Sequence, residues 1–200
     1  MPIGFDLDEV IAPLLRHHCL YLNHKYHCEL SEGDFSTYDF WNHYQATREQ
    51  AVKDFFEFCE TDFFHSIKPF KEARPILEKL SKLERLHVIT ARQDFLQPVT
   101  RAFVHRNFPG IFSKIDFGNY FGKVGAHITK AELCEKNGIY LLVEDDPKHI
   151  IPVSEDIPVV MLDRPWNQHV GCGRNIIRAY NWRDIGEIVQ EFIFNPSSLL

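Results

Sequence analysis

Three observations in the sequence predict an α/β fold. Short runs of continuous apolar residues recur along the chain, stretches with apolar residues at helical spacing lie between them, and polar groups gather where the runs stop. Runs that are continuous rather than alternating belong to strands covered on both faces. The expected architecture is therefore a doubly wound, mostly parallel, Rossmann-like sheet, with a small helical cap inserted after the first strand. At 200 residues the chain is long enough for one such domain with an insertion, or barely for two small domains.

Pro2 to Leu7 reads as a buried strand, and Ala12 to about Tyr26 as a helix starting near Pro13, a residue suited to a first turn. Glu29 to Ser66 is aromatic and acidic, with a helix expected over Thr47 to Glu60. Ala73, Ile76, Leu77, Leu80 and Leu83 recur at helical spacing, and Arg85 to Ile89 turns strand-like. Phe95, Val99, Ala102 and Phe103 mark another helix, stopped by Pro109-Gly110. Lys114 to Phe117 is a short strand, and Lys130 to Lys136 a helix stopped by Asn137-Gly138. Ile139 to Val143 and Pro158 to Leu162 are continuous apolar strands. Trp182 to Phe194 is a helix with Ile185, Ile188, Val189 and Phe192 on its inner face. The alternation breaks between residues 14 and 68. The predicted division is a catalytic core of residues 1–13 and 69–200 and a mostly helical cap of residues 14–68 over the strand ends, where open α/β sheets bind ligands.

A formal charge of −6 argues against broad electrostatic capture of nucleic acid or acidic lipid. The chain enters directly on a strand-like segment, and no apolar window is long enough to span a bilayer. A soluble, cytoplasmic protein is expected, with no membrane partner and no nucleic acid polymer, acting alone or as a homodimer. The five cysteines form no CxxC pair and read as reduced packing residues. His17, His18, Cys19, His24, His27 and Cys28 fall close together, with His24 and Cys28 on one helix face. They are read as a polar helix near a pocket, with a zinc site as the remote alternative.

Three strand ends carry polar groups: Asp6 and Asp8 after the first strand, Thr90-Ala91-Arg92 after His87-Val88-Ile89, and Glu144-Asp145-Asp146 after Tyr140 to Val143. Two acids at a strand end repel and cost desolvation unless a cation or a chemical role compensates. If the strands are parallel neighbours, their ends meet in one crevice. Clustered carboxylates there suit Mg²⁺, which takes one or two carboxylates, waters and a substrate phosphate. A carboxylate can also attack phosphorus, with cations neutralising the transferring oxygens and a second acid moving the proton. Asp6 as nucleophile, Asp8 as acid/base, Thr90 and Lys130 as phosphate holders and Asp145 as metal ligand fill these roles; Lys123 is the alternative lysine.

The set Asp6-x-Asp8-x-Val10, Thr90, Lys130 and Glu144-Asp145 resembles the four ordered motifs of the haloacid dehalogenase-like hydrolase superfamily, over about residues 2 to 160. The resemblance implies that Asp6 is the nucleophile and Asp8 the acid/base of a phosphatase, since dehalogenase members lack the second acid. It implies a Mg²⁺ site built from Asp6, the Asp8 main-chain carbonyl and Asp145, with Glu144 acting through water and Asp146 as another register. The helical insertion, Thr90-Ala91-Arg92, Pro165-Trp166-Asn167 and Asn181-Trp182-Arg183-Asp184-Ile185 resemble more closely the 5′(3′)-deoxyribonucleotidase-like phosphatases. That likeness implies a 5′-nucleotidase for small (deoxy)nucleoside monophosphates. Glu9 departs from it, standing where a small residue is usual.

Other readings are carried alongside. Asp6 and Asp8 could cap a following helix, and Glu144 to Asp146 could cap the turn at Pro147. Arg92 is expected at the phosphate or substrate together with Ala91, or on a surface acid. Phe35, Tyr38, Phe40, Trp41 and Tyr44 are read first as the cap's own core, with Phe40 and Trp41 the candidates for stacking on a base. The rival substrates are sugar or other metabolite phosphates, and the rival class is a non-catalytic nucleotide binder.

Overall fold

The computed structural model describes residues 1–37, 40–120, 125–173 and 175–196. Six strands, β1 (Ile3–Phe5), β2 (Leu86–Thr90), β3 (Phe112–Phe117), β4 (Leu141–Glu144), β5 (Val159–Leu162) and β6 (Ile176–Ala179), form one sheet in the order β3-β2-β1-β4-β5-β6. Every pairing is parallel, and the chain reverses its winding direction between β1 and β4. In such sheets the ligand crevice lies outside the carboxyl ends of the strands at that reversal.

The register sets what meets there. Phe5 pairs with Val88 on one side and Val143 on the other. The Asp6 amide then donates to the Val143 carbonyl at 2.9 Å, so Asp6 sits level with Glu144. Gly4 is required by close approach: a Cβ there would meet Leu142 Cδ1 at 2.9 Å.

Helices cover both faces, as the continuous apolar strands require. The helices α4 (Ala73–Leu80), α5 (Gln97–Asn107) and α8 (Trp182–Phe194) share one core with Ile3, Phe5, Leu86, Val88 and Val143. On the other face α6 (Lys130–Asn137) and α7 (Pro147–Ser154) bury Leu133, Cys134, Ile150 and Val153 against Ile89, Leu142, Val159 and Met161. Between β1 and α4 lie α1 (Leu14–Tyr26), α2 (Arg48–Cys59) and α3 (Asp62–His65), with short 3-10 turns at Glu32–Asp34 and Phe40–Tyr44. Buried Asp54 ties α2 to α1 by accepting from Lys25 at 2.7 Å, Tyr26 at 2.9 Å, Tyr44 at 3.1 Å and Gln50 at 2.9 Å.

The expected helix from Ala12 begins at Leu14, because Ala12 is held in the tight loop that carries the acids: the Ala12 carbonyl accepts from Glu9 and the Ala12 amide donates to Leu7. Two elements were not anticipated. The α7 helix carries Pro147 at its start and Pro152 inside it, and β6 is a half-buried edge strand interrupted by Arg178.

Candidate active site

Asp6 ends β1, and Lys130 opens α6, whose N-terminus is fixed by a reciprocal bond between Thr129 and Glu132. That start places the Lys130 ammonium 2.5 Å from Asp6 Oδ1 and 2.5 Å from Glu144 Oε2. All three side chains are almost wholly buried. Desolvation, with the nearby Glu144 charge, pushes Asp6 well above the usual carboxylate range. Burial opposes the charged form of Lys130 too, but the two carboxylates outweigh it and hold the ammonium above its ordinary value. Burial likewise works against Glu144, and Lys130 outweighs it, so Glu144 is held below the usual range. Lys123, the alternative lysine, lies outside the described residues.

Asp145 follows Glu144 and joins the same group: Asp6, Glu144 and Asp145 each offer an oxygen within 4.8 Å of the others. Asp6 and Glu144 share the Lys130 ammonium with buried Asp145 beside them, and an all-oxygen carboxylate set of that kind fits a hard divalent cation such as Mg²⁺. The loop after β5 holds Asp145 in place. Trp166 Nε1 donates to its Oδ2 at 2.8 Å, and Asn167 Nδ2 donates to its carbonyl at 2.9 Å. Glu144 Oε1 accepts from the Asp145 and Asp146 amides. Asp146 turns away and caps α7, accepting from the Lys148 amide at 2.9 Å; among the described residues it is outside the three-acid group.

Asp8 stands apart from that group. Its two oxygens accept from Arg92 Nε at 2.9 Å and Nη2 at 2.7 Å. Arg92 is itself fixed by donating from Nη1 to Thr100 at 3.0 Å and by lying over the Phe64 ring. Sequence reasoning placed Arg92 at the substrate; its side chain lines the cavity, but its guanidinium is committed to Asp8 and Thr100. Thr90 is buried at the end of β2 and accepts from the Arg92 amide at 3.2 Å. The Thr90 carbonyl accepts from Gly118 at 2.7 Å, and a Cβ on Gly118 would meet the Ile128 carbonyl at 2.8 Å, so only glycine lets these loops meet.

Glu9 has a left-handed backbone, φ 62°. Its Oε1 accepts from the Leu15 amide at 2.5 Å, capping α1 where Pro13 offers no side-chain acceptor. Burial pushes the Glu9 carboxyl up to about 8 despite that bond. Arg164 Nη2 donates to the Glu9 carbonyl at 2.5 Å, which ties the tight loop to the loop after β5.

A cavity of about 450 Å³ opens over the acids, within the range usual for small-molecule sites. Asp6, Asp8, Ala91, Arg92, Lys130, Glu144 and Asp145 form its floor, and Trp41, Arg48, Ala51, Val52, Phe55 and Phe56 form the facing wall. Of the aromatic residues considered for stacking, Trp41 lines this cavity. Phe35 is buried with Leu15, Cys19 and Trp166, and Tyr44 serves Asp54. Tyr38 and the Phe40 side chain lie outside the described residues. Sequence reasoning missed the α2 face of Arg48, Ala51, Val52 and Phe55, which was legible as one helical stripe, and it missed Gln93 and Tyr120. In the His17 to Cys28 segment the groups diverge. His17 Nδ1 bonds the Phe63 carbonyl, His18 packs on Phe55 and Phe58, and the Cys28 thiol turns to Leu22 and Asn23. All five thiols are free.

The family model for 5′-nucleotidase, deoxy (pyrimidine), cytosolic type C protein matches residues 1–193. The chain belongs to this family. The family is one of haloacid dehalogenase-like proteins. An uncharacterized 32.4 kDa protein of Enterobacteria phage T4 is 23% identical over 155 residues, 76% of this chain and 54% of the phage protein. The chain thus spans about half the length of that curated relative. Among solved structures, a haloacid dehalogenase-like family hydrolase from Streptococcus pneumoniae superimposes with TM-score 0.67 at 12% identity, covering 96% of this chain and 97% of that one. The magnesium-bound HAD-hydrolase YfnB from Bacillus subtilis superimposes with TM-score 0.61 at 14% identity, covering 94% and 97%. These likenesses carry the α/β fold. No helix among the described residues is long and apolar enough to cross a membrane.

Proposed function

We propose that this nucleotidase-family chain is a Mg²⁺-dependent 5′-nucleotidase that hydrolyses (deoxy)nucleoside monophosphates through an aspartyl-phosphate on Asp6. The observation that carries the reading is the pairing, at one strand end, of an acid beside Lys130 with a second acid gripped by Arg92, beneath a cavity with an aromatic wall. The family's description as a deoxy (pyrimidine) nucleotidase and the magnesium held by the Bacillus relative support it.

An Asp6 oxygen attacks phosphorus, the ester P–O bond breaks, and the departing alkoxide takes a proton from Asp8. Water then attacks the acyl phosphate, gives its proton to Asp8, and releases inorganic phosphate and free Asp6. Lys130 and the Thr90 hydroxyl would neutralise and orient the transferring oxygens. Asp6, Asp145 and the Asp8 carbonyl would hold Mg²⁺, with Glu144 behind them, and the bound ion would supply charge neutralisation at the phosphoryl oxygens. Trp41, Phe55 and Phe56 offer an apolar surface for the leaving nucleoside. The segment from 14 to 68 then acts as a cap, and the enzyme works in the cytoplasm on small substrates.

Phosphate release from a panel of nucleoside monophosphates, sugar phosphates and p-nitrophenyl phosphate, with Mg²⁺ and with a chelator, tests the reading. Nucleotides should lead the panel, and activity should vanish with the chelator. Asp6→Asn should lower turnover by at least about a thousandfold. Sugar phosphates leading the panel, or turnover surviving in Asp6→Asn, would each refute it.

A further inference from the structure

The tight loop after β1 engages nearly all of its own carbonyls. The Leu7 carbonyl accepts from the Ile11 and Ala12 amides, Val10 from Trp182 Nε1 at 3.1 Å, Ile11 from the Phe70 amide at 2.9 Å, and Ala12 from the Glu9 and Leu14 amides. The Glu9 carbonyl accepts twice from one side chain, Arg164, at 3.2 Å from Nε and 2.5 Å from Nη2. From Leu7 to Ala12, the Asp8 carbonyl alone accepts from no donor among the described residues. Its neighbours are all engaged, which leaves this oxygen for a cation.

The conformation of the next residue aims it. The Asp8–Glu9 peptide is planar, so the Asp8 carbonyl points opposite to the Glu9 N–H, which donates to the Ala12 carbonyl at 2.8 Å. Glu9 stands at φ 62°, a left-handed backbone that a residue with a side chain keeps only where its surroundings impose it. Its amide on Ala12 and its Oε1 under the Leu15 amide anchor Glu9 to its own loop and helix. The third anchor, the Arg164 fork, comes from the loop after β5. Arg164 is itself fixed: its guanidinium lies 5.3 Å from the Phe70 ring centroid, and its amide donates to Asn167 Oδ1 at 3.1 Å. Asn167 in turn holds the Asp145 carbonyl. Arg164 is not among the residues that line the cavity.

We infer that Arg164 is a positioning residue for the metal site: by pinning the Glu9 carbonyl it keeps Glu9 left-handed and the Asp8 carbonyl aimed for Mg²⁺. Through Asn167 it also ties that carbonyl to the loop that fixes Asp145, so two ligands from different strand ends are held in one frame. Without the fork, Glu9 is released toward negative φ, and the Asp8–Glu9 peptide swings with it. This inference rests on the Mg²⁺ site of the proposed function.

Calorimetric titration of the substrate-free protein with Mg²⁺ tests this on wild type, Arg164→Met and Arg164→Lys. Methionine keeps an apolar stem over Phe70 and removes the donors; lysine keeps the charge and can make one of the two bonds. Arg164→Met should bind Mg²⁺ about tenfold or more weakly, as loss of a group that orients a ligand typically does. Arg164→Lys should fall between it and wild type. KM for p-nitrophenyl phosphate at saturating Mg²⁺ should stay within about twofold of wild type, because Arg164 does not meet the substrate. A merely structural role would lower the urea midpoint of the metal-free protein and leave the Mg²⁺ affinity of the folded protein where it was. Equal affinity in wild type and Arg164→Met therefore overturns this inference alone. Failure of the wild type to bind Mg²⁺ overturns the metal reading and this inference with it. If Arg164→Met does not fold, Arg164→Lys decides the matter: binding weaker by about threefold or more supports the role, and wild-type affinity overturns it.

Discussion

Among the described residues Lys130 is the one cation shared by Asp6 and Glu144, and all three are removed from water. Removing a single partner from such a group leaves uncompensated buried charge, which costs about 3–5 kcal/mol. Lys130→Met should therefore lose about that much in urea unfolding, as well as its activity. Added Mg²⁺ should restore part of the stability, because the cation would bind the same buried carboxylates in the native state alone. A loss under about 1 kcal/mol would mean that water reaches these carboxylates. Arg92 is a different case, since it grips the second acid through two parallel bonds and is itself held by Thr100 and Phe64. Arg92→Ala should lower kcat by about a hundredfold with little change in KM, because the loss is in the aim of Asp8 rather than in substrate binding. Arg92→Lys should recover only part, as an ammonium cannot reproduce the fork. A rise in KM at constant kcat would return Arg92 to the substrate contact that its sequence position suggested.

At the scale of elements, the short turn after β5 supports the proposed metal site. Trp166 and Asn167 fix Asp145, Asn167 also donates to the Leu162 carbonyl, and Arg178 on β6 donates to the Asn167 side chain at 2.9 Å. Partners of this kind orient ligands, and losing one typically costs about tenfold to a hundredfold in metal affinity. Trp166→Phe should raise the Mg²⁺ concentration for half-maximal activity by about that factor while leaving saturated turnover less affected; an unchanged Mg²⁺ dependence would detach this turn from the site. Its sequence, Pro165-Trp166-Asn167, was legible as a motif but not as a support, because nothing local shows that an indole reaches back to Asp145. The α8 helix was legible to the residue, with Asn181 as its cap and a regular apolar face. The β6 strand was not, since its central Arg178 is there to bond Asp163 and Asn167, which breaks the apolar run. The α7 helix was hidden by Pro152, tolerated in a helix that packs through Ile150 and Val153. Asp6 and Thr90 were legible because strand ends in a parallel sheet must converge, and Lys130 because it opens a helix. Gln93 and the Asp8–Arg92 pair were not, because side-chain direction after the strand is set by loops.

For the whole molecule, the helices between β1 and α4 must be stable and still leave a cavity against the core. They achieve this with one aromatic cluster and the buried Asp54 group, in which Lys25 outweighs the desolvation of the acid and keeps it below the usual carboxylate range. The same cluster encloses His18, stacked near Tyr21 and packed against Phe55 and Phe58. Burial lowers the His18 imidazole from 6.5 to about 4, with Asp54 opposing only in part. The sign follows directly: between these two values the unfolded chain binds a proton that the folded chain refuses. The stability associated with neutral His18 is thus intact above pH 6.5 and drains away as the pH falls from there to about 4. One group of this kind removes about 2 kcal/mol between pH 6.5 and 4.5. His149, lowered to about 4 chiefly by burial, adds a loss of the same sign. His18→Phe keeps a ring among the aromatics but cannot titrate, so its stability should fall less on acidification, by about that 2 kcal/mol. Urea unfolding of both proteins at a series of pH values measures this difference. Curves that run parallel from pH 7 to 4.5 would mean that protonated His18 is accommodated in the fold, and that acid sensitivity arises elsewhere in the molecule.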